Sequence, residues 1–192
     1  MSKNNIVKLI ITLVLLTQSA TVLAMDRNIY YVGVSIGRIF ADVDNNSEHG
    51  ALTEVVLGQY YNETDVAFEV AYTDLDKYDI TKAVGTSSEQ TSFDMSGLKL
   101  IAAKHFIFTP EMYMNIKGGV VYWREDTETI TKDQAGTITN AITGEDKGFS
   151  VYLGLGYSYS LTKESRVNLT IERFDTENGE FTNALVGVIF SL

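Results

Sequence analysis

The sequence predicts an all-β protein, an eight-stranded antiparallel transmembrane β-barrel preceded by a cleavable signal peptide. The first observation is alternation: Tyr30, Val32, Val34 and Ile36 are bulky, whereas Gly33 and Ser35 between them are small. The second is that eight such segments are joined alternately by short turns and long polar junctions. The third is a short apolar run near the N-terminus. Together these features are typical of a bacterial outer-membrane barrel.

Residues 1–24 have the organisation of a signal peptide. Lys3 and Lys8 supply the positive charge, a short apolar run begins at Leu9, and Ala24 precedes the expected cleavage site. The apolar run is too short to cross a membrane as a helix, which needs roughly 20 residues. We therefore expect residues 25–192 to form one exported barrel domain that resides in the bacterial outer membrane.

The predicted strands follow one another along this domain. They cover residues 29–40, 52–61, 66–74, 93–108, 112–124, 149–160, 166–174 and 181–192. The junctions after the second, fourth and sixth strands are short, those after the first, third and fifth are long, and the last is intermediate. If the first strand starts on the periplasmic side, every short junction is periplasmic and every long one is extracellular, as in other barrels of this kind.

Each strand has a bulky face and a lean face. The bulky face is clearest in four strands. It carries Val66, Phe68, Val70 and Tyr72 in the third strand and Val151, Leu153, Leu155, Tyr157 and Tyr159 in the sixth. It carries Val167, Leu169 and Ile171 in the seventh strand and Val186, Val188, Phe190 and Leu192 in the eighth. The second, fourth and fifth strands carry glycine on the lean face, at Gly58, Gly97 and Gly119. A soluble, lipocalin-like barrel would bury its large apolar residues inside. We therefore predict that the bulky face meets lipid and the lean face lines a narrow, packed lumen.

Five charged residues fall on the lean face near the middle of their strands. They are Glu54, Glu69, Lys99, Lys117 and Glu172. Inside a narrow lumen such charges are stable only when paired and hydrogen-bonded, so we predict an interior ion-pair network that holds and plugs the barrel. Glu69 and Lys99 lie on neighbouring strands and are one expected pair. The alternative is a narrow gated pore, opened when the ion pairs rearrange.

Aromatic residues recur at the ends of the predicted strands, and we expect them to form girdles at the two lipid–water boundaries. The candidates are Tyr30, Tyr60, Tyr61, Phe106, Tyr122, Tyr159 and Phe190.

Composition and charge exclude several functions. The chain has no cysteine, which rules out disulfides and a lipoprotein anchor. A net charge of −10 argues against nucleic acid as a partner. Of the two histidines, His49 lies in the first long junction and His105 near the periplasmic end, so neither is positioned in a catalytic triad. We predict no enzymatic activity, no cofactor and no metal, and the acidic junction 125–148 matches no calcium-loop pattern.

Five runs of sequence, one per strand, resemble the OmpA-like transmembrane-domain family. They are YVGVSIG from Tyr31, VAFEVAYTDL from Val66, MNIKGGVVYW from Met114, LGLGYSYSLT from Leu153 and LTIERFD from Leu169. The resemblance implies an eight-stranded barrel with interior charges, among which Glu69, Lys117 and Glu172 correspond by motif.

These features predict a monomeric, non-enzymatic outer-membrane barrel that contributes to envelope structure. Its expected partners are outer-membrane lipid and lipopolysaccharide, together with host or surface ligands that bind its extracellular loops. The first alternative is an adhesin or receptor-binding barrel acting through loops 75–92 and 125–148. The second is a lipid-modifying outer-membrane enzyme or a narrow gated pore.

Overall fold

The computed structural model describes residues 28–43, 46–84, 87–133, 137–176 and 179–192. Its strands are β1 (Asn28–Val43), β2 (Asn46–Tyr61), β3 (Val66–Val84), β4 (Ser87–Ile107), β5 (Met112–Lys132), β6 (Ile138–Ser160), β7 (Ser165–Thr176) and β8 (Gly179–Ser191). Each strand pairs antiparallel with the next, and β1 pairs with β8, so the sheet closes into a barrel. This confirms the predicted fold. The predicted signal peptide, residues 1–24, lies outside the described residues.

The described part of the chain contains no helix that is both long and apolar enough to cross a membrane.

The two ends of the barrel differ, and we call them the turn end and the hairpin end. The turn end carries the short connections β2–β3, β4–β5 and β6–β7, and it also holds the start of β1 and the end of β8. In the β2–β3 turn, Asp65 adopts a positive φ of 51°, a conformation that Asp tolerates better than most residues. Its carbonyl oxygen accepts a hydrogen bond of 2.8 Å from the backbone N–H of His105, which fixes the turn against β4.

The segments 75–92 and 125–148 are strands over most of their length, and the prediction that they are loops was wrong. β3 and β4 stay paired as far as Val84 and Ser87, and β5 and β6 as far as Lys132 and Ile138. Both faces of these extensions carry polar residues, so the contrast that reveals a strand in a sequence is missing. The β-branched Thr and Ile of β5, in the run TETITK, nevertheless favour extended backbone.

The two faces of the barrel wall are sorted as the alternation predicts. Outward residues such as Val151, Leu153 and Phe149 are exposed, the last by 77%. On the inside, Gly58 makes room for a large neighbour, because a Cβ there would overlap the ring of Tyr31. The glycine therefore lets Tyr31 lie across the lumen.

Large side chains fill the hairpin-end half of the lumen, whereas small residues were expected on the inner face of the strands. A buried apolar cluster fills it, made of Ile39, Leu52, Leu75, Met95, Val121, Trp123, Phe174, Phe181 and Leu185. The remaining space between Trp123 and Lys99 is a cavity of only about 10 Å³, roughly enough for one water molecule. Large apolar side chains thus face both lipid and the lumen, since the interior must be filled to normal density.

Candidate functional site

The ammonium group of Lys99 is the centre of the lumen. Its Nζ lies 2.6 Å from Glu54 Oε2 and 2.5 Å from Glu172 Oε2, and all three side chains are buried. The three strands β2, β4 and β7 supply these residues, so the ion pairs cross the lumen rather than follow the wall. One ammonium group therefore joins three parts of the barrel that share no strand pairing.

Hydroxyl and amide groups add further hydrogen bonds to the two carboxylates of this centre. Thr73 Oγ1 donates to Glu54 Oε2 at 3.0 Å, and Tyr152 Oη donates to Glu172 Oε1 at 2.8 Å. Asn183 Nδ2 donates more weakly to Glu172 Oε2 at 3.4 Å. The two carboxylates are thus hydrogen-bonded as well as paired, which is the condition under which buried charges persist in a protein.

A second ion pair joins Lys117 to Glu69, with a distance of 2.8 Å between Nζ and Oε2. Tyr31 Oη donates to Glu69 Oε1 at 2.6 Å. The expected pairing of Glu69 with Lys99 is therefore wrong, although all five predicted charges line the lumen in these two groups. The cross-strand partner of Glu69 on β4 is Ile101, two residues along the strand from Lys99. Lys99 is also already bound by two other carboxylates.

The turn end of the lumen is closed by stacked rings. His105 lies between Tyr60 and Tyr113, with ring centroids 4.9 Å apart on both sides. The guanidinium carbon of Arg166 lies 4.9 Å from the ring centroid of Tyr31 and 5.6 Å from that of Tyr113. Arg166 and Tyr113 were not predicted to lie in the interior, although the strand periodicity places Tyr113 on the same lumen face as Lys117.

Tyr60 belongs to this closure and not to the lipid-facing girdle, which corrects its predicted role. Its ring stacks on His105, and its hydroxyl donates to Asp65 Oδ1 at 2.8 Å. Position 60 has the same parity in β2 as Glu54 and Gly58, so its side chain enters the lumen. The alternate parity explains why its neighbour Tyr61 lies outside, edge-on to Phe68.

The other girdle candidates lie on the outward face, as their strand positions require. Five of them are near the turn end, and Tyr122 is nearer the hairpin end, where it packs 5.0 Å from Phe149. The five are Tyr30, Tyr61, Phe106, Tyr159 and Phe190. Their arrangement supports a membrane boundary at the turn end; the girdle itself stays a prediction.

At the hairpin end, β3, β4, β5 and β6 continue beyond the closed barrel as a four-stranded sheet, which we call the protruding sheet. β6 pairs with β5 along nearly its whole length, but it pairs with β7 only from Tyr152 onward. Residues 138–151 therefore have a neighbouring strand on one side only. Every second backbone N–H and C=O of this segment points toward the unpaired side, since the groups alternate along a strand. Residues 78–84 of β3 form the opposite edge of the sheet, since they pair with β4 but not with β2.

The outer face of the protruding sheet is charged. Arg124 Nη2 lies 3.2 Å from both Asp126 Oδ1 and Glu145 Oε2, and Lys147 Nζ lies 4.0 Å from Glu145 Oε1. A shallow groove of about 650 Å³ above these pairs includes Asp94 and Glu128. Among the described residues, no group of three or more His, Cys, Asp or Glu side chains has the geometry of a metal site.

The two histidines lie on opposite faces of the wall. His49 is exposed on the outer face of β2 opposite Phe40, whereas His105 is buried in the ring stack inside the lumen. A Ser–His–acid mechanism needs a histidine oriented between a nucleophile and a carboxylate. His105 is instead held by aromatic rings on both of its faces.

Comparison with known proteins gives matches at the level of the domain and of the fold. The profile of the OmpA-like transmembrane domain matches residues 25–176. No curated protein matches the sequence. Among solved structures, the chain is similar to Neisserial surface protein A, with 17% identity and a TM-score of 0.63 over 84% of this chain and 96% of that one.

Two further structures have the same fold. One is Ail, the attachment invasion locus protein of Yersinia pestis, solved with the heparin analogue sucrose octasulfate: 8% identity, TM-score 0.61, covering 87% of this chain and all of that one. The other is the N-terminal β-barrel domain of Pseudomonas aeruginosa OprF: 17% identity, TM-score 0.55, covering 85% and 97%. At these identities the likeness concerns the fold alone.

Proposed function

Because the chain belongs to the OmpA-like transmembrane domain family, we propose that it is a sealed, non-enzymatic anchor in the outer membrane that presents a protein-binding sheet at the cell surface. The observation that carries this proposal is the unpaired edge of β6 over residues 138–151. The barrel below the edge contributes to envelope structure as a monomer surrounded by outer-membrane lipid and lipopolysaccharide.

The packing of the lumen supports an anchor rather than a pore. The apolar cluster around Trp123 fills the hairpin end, the ion pairs of Lys99 and Lys117 cross the middle, and the rings around His105 close the turn end. Rearranging the ion pairs alone would not open a path, because apolar or aromatic side chains block the lumen on either side of them. Eight strands leave an interior just wide enough to be filled by such side chains.

The protruding sheet rises far enough above the membrane to meet a partner. Phe149 and Ile138 lie eleven positions apart, about 36 Å along β6 at roughly 3.3 Å per residue. With a strand tilt of about 40°, this corresponds to about 28 Å along the membrane normal. Short connections lie at the other end of the barrel, so the usual asymmetry of these barrels puts the sheet outside the cell.

A free strand edge binds extended polypeptide. A peptide that adds to β6 gains main-chain hydrogen bonds, and its alternate side chains meet the two faces of the sheet. Ile138 and Ile142 are both more than half exposed, which gives an added strand apolar contacts. Glu145, Asp146 and Lys147 near the base of the edge limit indiscriminate pairing.

The charge of the hairpin argues against a polyanionic ligand. Residues 125–148 carry six carboxylates and two lysines. A sulfated polysaccharide would be repelled by this surface, whereas the sucrose octasulfate of the Yersinia pestis structure is a ligand of that protein. The proposed ligand class is therefore an extended segment of a surface-exposed protein.

The experiment removes the outer part of the β6 edge, with Ile138 and Ile142, and leaves the barrel. Residues 129–142 are replaced by Asn-Gly, which joins Glu128 to its cross-strand partner Thr143. As a matched control, residues 82–89 of the β3–β4 hairpin are replaced in the same way between Thr81 and Gln90. Bacteria displaying each variant are tested for attachment to cultured epithelial cells.

We expect the β5–β6 excision to abolish attachment and the β3–β4 excision to preserve it. Both variants should keep a boiled-versus-unboiled mobility shift on a gel, since neither excision reaches the closed barrel. Attachment that survives the β5–β6 excision would refute the proposed binding role of the outer β6 edge that carries Ile138 and Ile142. Detergent sensitivity of the cells, measured in parallel, should change only when the whole barrel is deleted.

A further inference from the structure

Four basic side chains lie on the outward face where the apolar wall ends and the hairpins begin. They are Arg38, Arg124, Lys147 and Arg173. Three are neutralised: Arg124 and Lys147 by the carboxylates described above, and Arg173 by Asp175 at 3.5 Å and Glu180 at 2.5 Å. Among the side chains that the structure describes, Arg38 has no carboxylate partner, so its charge is available to a ligand.

The surroundings of Arg38 are small and apolar along the sheet. Its direct cross-strand neighbours are Ala51 on β2 and Ala184 on β8. In β2, Ala51 is flanked on the same outward face by His49 and Thr53, both exposed. An anion placed over Ala51 would therefore meet a guanidinium group with an imidazole and a hydroxyl within reach, since such diagonal neighbours lie roughly 7–8 Å apart.

The height of Arg38 matches a lipid headgroup region. Eight residues separate it from Tyr30 at the turn end, about 26 Å along β1 and about 20 Å along the membrane normal at a tilt of roughly 40°. The apolar wall of such barrels is about 25 Å tall. Arg38 therefore lies near the outer boundary of the apolar wall, whereas Tyr30 lies near the opposite boundary.

An apolar groove of about 790 Å³ runs along the outer wall beside Arg38. Ile36, Phe40, Ala51, Ala184 and Val186 line it next to the guanidinium group. The groove is deepest at the two alanines, because their side chains are small, whereas bulkier side chains project from the rest of the outer wall. An acyl chain would lie in this groove with its polar end at Arg38.

We propose that this place is a binding site for a phosphate-bearing lipid of the outer leaflet. Arg38 holds the phosphate through paired N–H···O bonds, His49 and Thr53 supply further donors, and one acyl chain fills the groove over Ala51 and Ala184. Guanidinium groups suit phosphate because they donate two parallel hydrogen bonds and remain charged at a membrane surface. The inference rests on the membrane orientation proposed above, and it does not depend on the protein-binding edge.

The experiment measures lipid retained by the protein in detergent, by native mass spectrometry. The probes are diphosphoryl lipid A and its fully dephosphorylated form. The variants are R38Q, which removes the free charge, and A184L, which fills the groove. The control is R173Q, which removes a paired cation at the same boundary. A boiled-versus-unboiled gel shift shows that each variant is folded.

We expect the native chain to retain the phosphorylated lipid and lose the dephosphorylated one. R38Q should weaken retention about tenfold, the effect of losing one charge-assisted interaction. A184L should weaken it as well, while R173Q should match the native chain. Equal losses in R38Q and R173Q, or equal retention of both lipids by the native chain, would overturn the proposal. The β5–β6 excision should retain lipid normally, so failure of the surface-binding role is seen separately.

Discussion

Lys99 is the single residue on which the charge balance of the lumen depends. Replacing it with methionine keeps most of its volume but leaves Glu54 and Glu172 buried with no ammonium group between them. Breaking a buried pair in this way usually lowers the free energy of unfolding by about 3–5 kcal/mol. We expect Lys99→Met to unfold at a correspondingly lower urea concentration when it is followed by tryptophan fluorescence in detergent.

Lys104 provides the matched control for this substitution. It lies on the outer face, bonded to the backbone oxygen of Thr64 at 2.6 Å and paired with Asp65 at 3.6 Å, with both side chains partly exposed. Exposed pairs contribute about 0–1 kcal/mol, so Lys104→Met should leave the urea midpoint nearly unchanged. An equal change of the urea midpoint in both variants would mean that the lumen charges are exposed to water rather than buried.

Two glycines with different surroundings give a test of how tightly the interior is packed. A Cβ at Gly58 would overlap the ring of Tyr31, whereas a Cβ at Gly144 would meet nothing within 4 Å. Displacing Tyr31 also strains its hydrogen bond to Glu69. We expect Gly58→Ala to destabilise the barrel by about 1–3 kcal/mol and Gly144→Ala to change stability by less than about 0.5 kcal/mol, both measured by urea unfolding. The same loss at both sites would contradict the position of the Tyr31 ring.

At the scale of elements, β6 is divided into two parts by its partners. Residues 138–151 are bonded to β5 alone, and residues 152–160 lie between β5 and β7. Beyond the closed wall, β7 turns back into β8 at Thr176, so no strand remains to cover the upper part of β6. The difference in length between neighbouring hairpins is therefore what creates the free edge.

This division predicts an alternating pattern of amide hydrogen exchange along β6. In residues 139–150, every second amide points to the free side and should exchange quickly, while the amides between them are bonded to β5 and should be protected. From Leu153 to Tyr159, all amides should be protected. The measurement is residue-resolved exchange by nuclear magnetic resonance in detergent micelles. Uniform protection of the amides of residues 139–150 would show that the edge is covered.

For the whole molecule, the two ends of the lumen act as independent seals. Trp123 belongs to the apolar cluster at the hairpin end, and Arg166 lies over the rings of Tyr31 and Tyr113 at the turn end. Either seal alone blocks a path through the barrel. We expect no conductance in planar bilayers from the native chain, from Trp123→Ala or from Arg166→Ala, and small channels only from the double variant. Steady channels from the native chain would restore the gated-pore hypothesis.

The sequence by itself determined the strand count, the outward apolar face and the five charges of the lumen. These follow from local rules, because a period of two assigns each residue to a face wherever lipid on one side and packed interior on the other demand different side chains. Outside the membrane both faces meet water, so the same rule could not show that residues 75–92 and 125–148 continue as strands. At Tyr60 the same rule correctly gives an inward position. The assignment of Tyr60 to the lipid-facing girdle was wrong because it rested on the type of residue.

Only the tertiary structure decided which charges pair and which strand edges are free. Glu69 meets Lys117 instead of Lys99 because strand stagger and competition among three carboxylates set the distances across the lumen. The free edge of β6 depends on where β7 ends. The lack of a carboxylate partner for Arg38 among the described side chains depends on its cross-strand neighbours, which are both alanines. These are relations between segments far apart in the chain, and the closure of the barrel, not the local pattern, brings those segments together.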